Sequence, residues 1–228
     1  MIGFDVYYLV LVVPTLILSA IAQLMVKTTF AKYSKVRCSN NVTGMDAAVR
    51  LMQSNSINDV SVEPVGGSLT DHYDPRARKL RLSEPVYNQP TIAAVGVAAH
   101  ETGHAIQHAK HYGPLVLRST LVPVANIGSS VGPWLAIAGI FLSLDFLLTL
   151  GIFLFSGAVL FYIVTLPVEF NASSRALAIL RSNNMLSPEE LKGAKKVLNA
   201  AAMTYVASAL TAIMSLLRLI LISRSRKR

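Results

Sequence analysis

The stretch His100-Glu-Thr-Gly-His104 contains the residues of this chain best suited to chemistry. On an α-helix, two histidines four residues apart project from one face about one turn apart, so both imidazoles can bind one Zn²⁺ at roughly 2.0–2.1 Å. Glu101 follows the first histidine and can act as general base toward a zinc-bound water. The spacing therefore predicts metal-assisted hydrolysis, with His100 and His104 as ligands and Glu101 as the catalytic group.

The residues before this stretch favour a buried helix. Residues 91–99 are small and apolar, and they follow a turn-like segment that ends at Pro90. The alternative interpretation is an ordinary helix with two satisfied histidines and a surface glutamate. Because buried polar groups lower stability unless they have partners, the apolar context favours a bound metal.

A catalytic zinc needs a third protein ligand, and Glu169 is the best candidate. It follows a long apolar segment and begins a predicted helix over residues 169–181. A glutamate is also favoured at a helix N-terminus by the helix dipole alone, so its position has a purely structural explanation as well. His72, in a predicted strand, is the main rival for the third ligand position.

The composition indicates a membrane protein. Of the 228 residues, 53% are hydrophobic and 14% are charged, and the mean hydropathy is +0.50. The single cysteine, Cys38, excludes a disulfide within the chain and a cysteine-based zinc site. The net charge is +9, but the basic residues form no nucleic-acid motif, so we expect no nucleic-acid partner.

The apolar segments predict a mainly α membrane protein with three to four transmembrane helices and a small cytoplasmic α+β, zincin-like region that carries the HExxH motif. Each long apolar run is sufficient to cross a hydrocarbon core of about 30 Å. The predicted domains are an N-terminal transmembrane helix (1–26), an α+β region ending in the HETGH helix (27–114), a transmembrane hairpin (115–168) and a final region with the third ligand (169–228). In the last region, one long helix from Pro188 through the apolar residues 200–223 would span the membrane.

The positions of the basic residues predict the orientation. Residues 27–114 contain ten Lys and Arg residues, whereas the N-terminal tip and the turn at 143–145 contain none. By the positive-inside rule, residues 27–114 and 167–199 are cytoplasmic. Both parts of the predicted zinc site therefore lie on the same side of the membrane. The basic tail at 224–228 conflicts with this rule if the fourth segment spans.

The sequence between the first two spans, residues 27–114, predicts a small α+β unit. Residues 45–52 predict a helix capped by Thr43, and residues 59–65, 70–73 and 79–82 predict strands. A strand beside the HETGH helix could bind an extended peptide along its open edge. The alternative is a hairpin with a structural role only.

The order of these features resembles a known family. One N-terminal span, a hairpin ending at Arg81-Leu-Ser83, the HETGH helix, a membrane hairpin and Pro167-Val-Glu-Phe-Asn-Ala-Ser-Ser-Arg-Ala176 together resemble the YugP-type neutral zinc metallopeptidases of bacteria. The chain is more distantly similar to HtpX-like proteases and CAAX prenyl proteases. The resemblance implies that His100 and His104 bind zinc, that Glu101 is the base and that Glu169 is the third ligand.

The chain departs from the distant relatives at one position. Those proteins usually have an aspartate four residues after the ligand glutamate, where it orients a ligand histidine, and here that residue is Ser173. A serine can accept the imidazole N–H, although less strongly than a carboxylate. Asn171 is another candidate for this role or for binding substrate backbone, and the candidate oxyanion stabilisers are Tyr73, Arg175 and Tyr205.

These features together predict a zinc-dependent endopeptidase of the bacterial plasma membrane, with one Zn²⁺ and an active site on the cytoplasmic side. Its partners would be protein or peptide substrates and the lipid bilayer; oligomeric state and regulatory membrane partners are left open. One alternative is a non-catalytic, zinc-stabilised scaffold or metal carrier, whose site would be closed by His72 or His108. A third hypothesis is a protease with its zinc deep in the bilayer.

Overall fold

Helices dominate the structure, a computed structural model that describes residues 5–226. The elements in chain order are a π-helical turn (Tyr8–Val12), α1 (Val13–Tyr33), α2 (Gly44–Ser54), β1 (Ser61–Val65), β2 (His72–Asp74), β3 (Lys79–Ser83), α3 (Glu84–Tyr87), α4 (Ile92–Ala109), α5 (Gly113–Phe141), α6 (Asp145–Ser182) and α7 (Pro188–Arg226).

Four of the described helices are long and apolar enough to cross a membrane: Tyr8–Tyr33, α5, α6 and α7. This confirms the prediction of a mainly α membrane protein with a small α+β region. The fourth apolar stretch belongs to one continuous helix that begins at Pro188, as the sequence predicts. The chain forms two compact units, one made of residues 1–23, 116–167 and 203–228, the other of residues 24–115 and 168–202.

In the first unit, α5 and α6 pack through their backbones. A Cβ added to Gly132 of α5 would lie 2.9 Å from the backbone nitrogen of Phe155, and one added to Gly128 would meet the carbonyl oxygen of Leu154. Small residues four apart let membrane helices approach this closely and gain van der Waals contact. Gly128 and Gly132, both inside the second apolar segment, therefore serve helix packing.

Two arginines of the last helix have partners within the first unit. Arg218 forms an ion pair with Asp5 at 2.6 Å. Arg226 donates to the carbonyl oxygens of Gly139 and Ile140, at 3.3 and 2.9 Å, near the C-terminal end of α5. These arginines thus neutralise a carboxylate and satisfy helix-end carbonyls, which gives basic residues at this end of α7 a structural role.

The helix that contains Glu169 begins much earlier than the sequence predicts. It runs without a break from Asp145 to Ser182 with Pro167 in its interior, so Glu169 lies in mid-helix and the prediction of a helix that begins there is wrong. A proline removes only one backbone hydrogen bond and is tolerated in membrane helices where neighbours re-satisfy the backbone. The helix-dipole explanation for Glu169 therefore does not apply.

The second unit contains a three-stranded sheet in the order β1-β3-β2. β2 and β3 are antiparallel, which confirms the predicted hairpin, whereas β1 pairs in parallel with β3. Helix α2 begins with the predicted Thr43 cap, in which the Asp46 backbone N–H donates to Thr43 Oγ1 at 3.1 Å. β2 is an edge strand of this sheet and packs beside α4.

Helix α4 lies at the centre of the second unit. It contacts α2, α3, β2 and β3, and two apolar clusters share its buried residues. Five alanines and two glycines make up much of its buried surface, so neighbouring elements approach its backbone closely. The HETGH stretch therefore belongs to a helix that is fixed by packing against several other elements.

A buried carboxylate fixes the loop that leads into β2. Asp71 Oδ1 accepts from the backbone N–H of Ser83 at 2.7 Å, and the Ser83 hydroxyl donates to both carboxylate oxygens. Burial raises the pKa of Asp71 more than these hydrogen bonds lower it. Since the folded state holds the proton more tightly than the unfolded state, stability falls as pH rises from the unfolded pKa of about 3.9 to the higher folded value.

We predict that Asp71→Asn removes this pH dependence, because the amide oxygen still accepts from Ser83 and has no charge to bury. The apparent melting temperature of the variant should rise relative to that of the unaltered chain as pH increases from about 4 to 7. Parallel thermal melts in detergent micelles across this range measure the difference. A difference that is constant with pH would contradict the assignment.

Candidate metal centre

The structure brings His100, His104 and Glu169 together in the second unit. One potential ligand atom from each lies within 4.8 Å of the others. Glu169 Oε2 is 3.3 Å from His100 Nε2 and 3.6 Å from His104 Nε2, and all three side chains are almost completely buried. Two of the residues come from α4 and the third comes from α6, so the cluster joins helices that are far apart in the chain.

These distances fit a tetrahedral zinc site. With Zn–N and Zn–O bonds of roughly 2.0–2.2 Å, neighbouring ligand atoms of a tetrahedron lie about 3.3–3.5 Å apart. Charge-assisted hydrogen bonds between such atoms are shorter, at about 2.7–2.9 Å. The donor set, two imidazole nitrogens and one carboxylate oxygen, is a common catalytic zinc set. The residues present therefore fit the metal.

The remaining ring nitrogens have hydrogen-bond partners that orient the two imidazoles. Nδ1 of His100 lies 3.1 Å from the Ser173 hydroxyl, and Nδ1 of His104 lies 3.0 Å from Oε1 of Gln107. An imidazole that donates through Nδ1 leaves its Nε2 lone pair for a metal. In both rings that Nε2 atom is the one that faces Glu169.

A glycine allows the two ligand helices to come this close. A Cβ added to Gly103 would lie 2.6 Å from the carbonyl oxygen of Ala172 and 3.2 Å from its Cα. Gly103 precedes His104 and Ala172 is three residues after Glu169, so this backbone contact lies at the level of the cluster. The glycine of HETGH thus has a packing role that the motif by itself does not reveal.

The electrostatics of the site favour a cation. Burial by itself would lower the pKa of the His104 imidazole, but the Glu169 carboxylate 3.6 Å away and the negative charge of Glu101 together raise it. Glu101 is only 8% exposed. Two buried carboxylates beside two imidazoles leave the site with net negative charge, which a divalent ion would balance.

The other histidines lie outside the cluster. His72 is exposed, with Nδ1 2.8 Å from the Thr70 carbonyl oxygen and Nε2 3.3 Å from an Arg81 nitrogen. His108 is one helical turn beyond His104, and its Nδ1 lies 2.8 Å from the Tyr73 hydroxyl. Among the described residues, the structure therefore places Glu169, and not His72, beside the ligand histidines.

Tyr73 and His108 line a cavity of about 430 Å³ beside helix α4. The cavity also contacts Ala105, the residue that follows His104, so it reaches the HETGH helix. Burial, and then the negative charge of Asp74, raise the pKa of Tyr73, which keeps its hydroxyl protonated. The cavity is thus bounded by α4 on one side and by edge strand β2 on another.

Gln107 is a buried residue of the site that sequence reasoning did not single out. Its side chain is fully buried and contacts both His104 and α6. The available signal was its spacing: a residue three after a helical ligand lies on the same face and can reach its ring. Asn171, predicted to orient a histidine or bind substrate, contacts Gln107 and Arg175.

We predict that Gly103→Ala weakens zinc binding at least about tenfold, because the added methyl group must push α6 away and ligands displaced by more than ~0.2 Å leave the range of zinc bonds. Overpacking should also lower the free energy of unfolding by about 1–3 kcal/mol. Competition with a chelator and thermal melts measure both effects. The matched control is Gly66→Ala, where a Cβ meets nothing within 4 Å; equal zinc affinity in both variants would refute the prediction.

Comparison with known proteins agrees with this geometry. Residues 8–224 match the model of a family described as "putative neutral zinc metallopeptidase". The chain is 51% identical over 215 residues to "Putative membrane protease YugP" of Bacillus subtilis (strain 168), covering 94% of this chain and 96% of that protein. No solved structure matches the chain. By both comparisons, this chain belongs to the family of neutral zinc metallopeptidases, and within it is similar to a membrane protease.

Proposed function

We propose that this protein hydrolyses peptide bonds at the membrane with a single Zn²⁺ held by His100, His104 and Glu169. The observation that carries the proposal is the pair of distances from Glu169 Oε2 to the two Nε2 atoms, 3.3 and 3.6 Å, which are close to the separation of neighbouring ligand atoms around a tetrahedral zinc ion. The cluster has three members among the residues that the structure describes, and a catalytic site needs a fourth position for water.

A zinc ion at this position would polarise the scissile carbonyl and lower the pKa of a water molecule to about 7. Glu101 takes the proton from the attacking water and then donates it to the nitrogen of the leaving amine. Burial of Glu101 beside His104 excludes bulk water from this proton transfer. Glu169 contributes the negative charge that keeps both imidazoles in place around the ion.

Edge strand β2 supports a role in binding an extended peptide. It pairs with β3 on one side, is an edge of the sheet and packs against the HETGH helix. A substrate segment added to this edge would gain backbone hydrogen bonds and lie along α4, next to the cavity lined by Tyr73 and His108. Substrates would be membrane proteins or peptides presented near the bilayer, cleaved within the chain.

The distribution of charge supports a cytoplasmic active site. Ten Lys and Arg residues lie in 27–114 and five in 167–199, the two segments that supply the ligands. Two of the α7 arginines that oppose this orientation have structural partners, Arg218 with Asp5 and Arg226 with carbonyl groups of α5.

We predict that Glu101→Gln retains zinc and lowers peptide hydrolysis at least about 100-fold, because the amide cannot accept the proton of the attacking water. Zinc content of the purified chain and cleavage of a fluorogenic peptide measure the two properties. His100→Ala should lose zinc and activity together, whereas His72→Ala, at an exposed position outside the cluster, should retain zinc.

A scaffold or metal carrier would give a different result. Its Glu101→Gln variant would match the unaltered chain in every property, and the unaltered chain would show no hydrolysis above the background of a metal-free sample. Hydrolysis that persists in Glu101→Gln would exclude the proposed role of this residue.

The orientation predicts which positions an impermeant reagent can reach. In a chain with Cys38→Ser, we expect Leu144→Cys, in the turn between α5 and α6, to react with a membrane-impermeant maleimide in intact bacterial cells. Ser68→Cys, in the exposed loop before β2, should react only after the membrane is permeabilised, because the charge distribution places it inside. Labelling in the opposite pattern would reverse the assignment of the cytoplasmic face.

A further inference from the structure

A fully buried amide connects the two helices that supply the metal ligands. Gln107, on α4, is 0% exposed. Its Nε2 donates to the carbonyl oxygen of Val168 at 2.8 Å and to Oδ1 of Asn171 at 3.0 Å, and its Oε1 lies 3.0 Å from Nδ1 of His104. Every donor and acceptor group of this side chain therefore has a partner within the site.

The direction of these hydrogen bonds is set by a cation. The Nε–H of Arg175 donates to Asn171 Oδ1 at 2.6 Å, and a guanidinium has no acceptor, so the oxygen of Asn171 must face it. The same oxygen meets Gln107, which must present its NH₂ group there. The Oε1 atom of Gln107 is then turned toward His104, whose Nδ1 must carry the proton.

Arg175 is itself held in place by the segment after α4. Its guanidinium lies over the ring of Tyr112, 5.8 Å from the ring centre, and the backbone N–H of Tyr112 donates to the carbonyl oxygen of Gln107 at 2.9 Å. The contacts from Gln107 through Asn171, Arg175 and Tyr112 thus form a closed loop. Turning the Gln107 amide over would leave its oxygen facing the carbonyl oxygen of Val168, and turning the Asn171 amide over would leave its NH₂ group facing the Nε–H of Arg175.

We propose that Gln107 is a positioning residue for the zinc ion and that Arg175, through Asn171, fixes its orientation. The amide keeps the proton of His104 on Nδ1 and thereby leaves Nε2 available to the metal. Its bond to the carbonyl of Val168, the residue before Glu169, also ties the third ligand to the helix of the first two. One side chain thus sets the geometry of ligands on both helices.

This inference rests on the metal site of the proposed function, and zinc affinity tests it. In the full chain purified in detergent micelles, we expect Gln107→Ala and Gln107→Glu to bind zinc about 10–100-fold more weakly in competition with a chelator of known affinity. The glutamate variant is informative because it can accept from His104 but cannot donate to Val168 or Asn171. Gln53→Ala, at an exposed position of α2, is the matched control.

Two variants of Asn171 distinguish a positioning role of this hydrogen-bond network from simple packing. Asn171→Asp retains an acceptor for both Arg175 and Gln107, so it should bind zinc at least as tightly as the unaltered chain. Asn171→Ala removes the acceptor and should weaken binding about tenfold or more. The ¹⁵N chemical shifts of the imidazole nitrogens in metal-free, histidine-labelled protein report the tautomer directly at an alkaline pH at which the rings are neutral. We expect an Nδ1–H form for His104 in the unaltered chain and a mixture in Gln107→Ala.

The outcomes distinguish this inference from the proposed function. If the unaltered chain binds no zinc, the metal site itself fails. If it binds zinc but Gln107→Ala and Asn171→Ala bind within about twofold of it and show an unchanged His104 tautomer, only the positioning role is refuted. The positioning role is also refuted if Asn171→Ala and Asn171→Asp weaken zinc binding equally. Packing of the side chain, and not its hydrogen-bond acceptor, would then explain the loss of affinity.

Discussion

The close approach of α4 and α6 is the constraint on which the rest of this site depends. Gly103 has no side chain between its backbone and the carbonyl of Ala172, and so Glu169 lies 3.3 Å from His100. A larger residue at position 103 would move the Glu169 carboxylate away from the two imidazoles. The shift would be comparable with the ~0.2 Å by which zinc–ligand distances can vary. The metal centre is thus a consequence of helix packing as much as of ligand chemistry.

Two further features make this packing sufficient for a metal site. Helix α6 is continuous through Pro167, so the carboxylate projects from a rigid element and not from a loop or a frayed end. Gln107 then bonds the two helices at the same level and fills the space with a fully satisfied polar group. A buried polar network of this kind stabilises one arrangement of its members only when every member is paired.

Sequence reasoning predicted that His100, His104 and Glu169 come together, and it predicted most of the elements around them, for identifiable reasons. The helical spacing of His100 and His104 and the cap at Thr43 are local patterns, and local patterns determine short elements well. The roles of Gly103 and Gln107 depend on which helix lies opposite, which spacing within α4 cannot reveal. The start of the Glu169 helix was misplaced because a proline usually marks a helix boundary, whereas inside an apolar segment a continuous helix is the more stable solution.

The ligands come from chain segments on either side of the α5–α6 hairpin, and this has a consequence for biosynthesis. A ribosome completes both histidines and Glu101 some 65 residues before it reaches Glu169, and the residues between them belong to two helices that are long and apolar enough to cross a membrane. The three side chains of the cluster can therefore come together only after the whole hairpin between them has been synthesised.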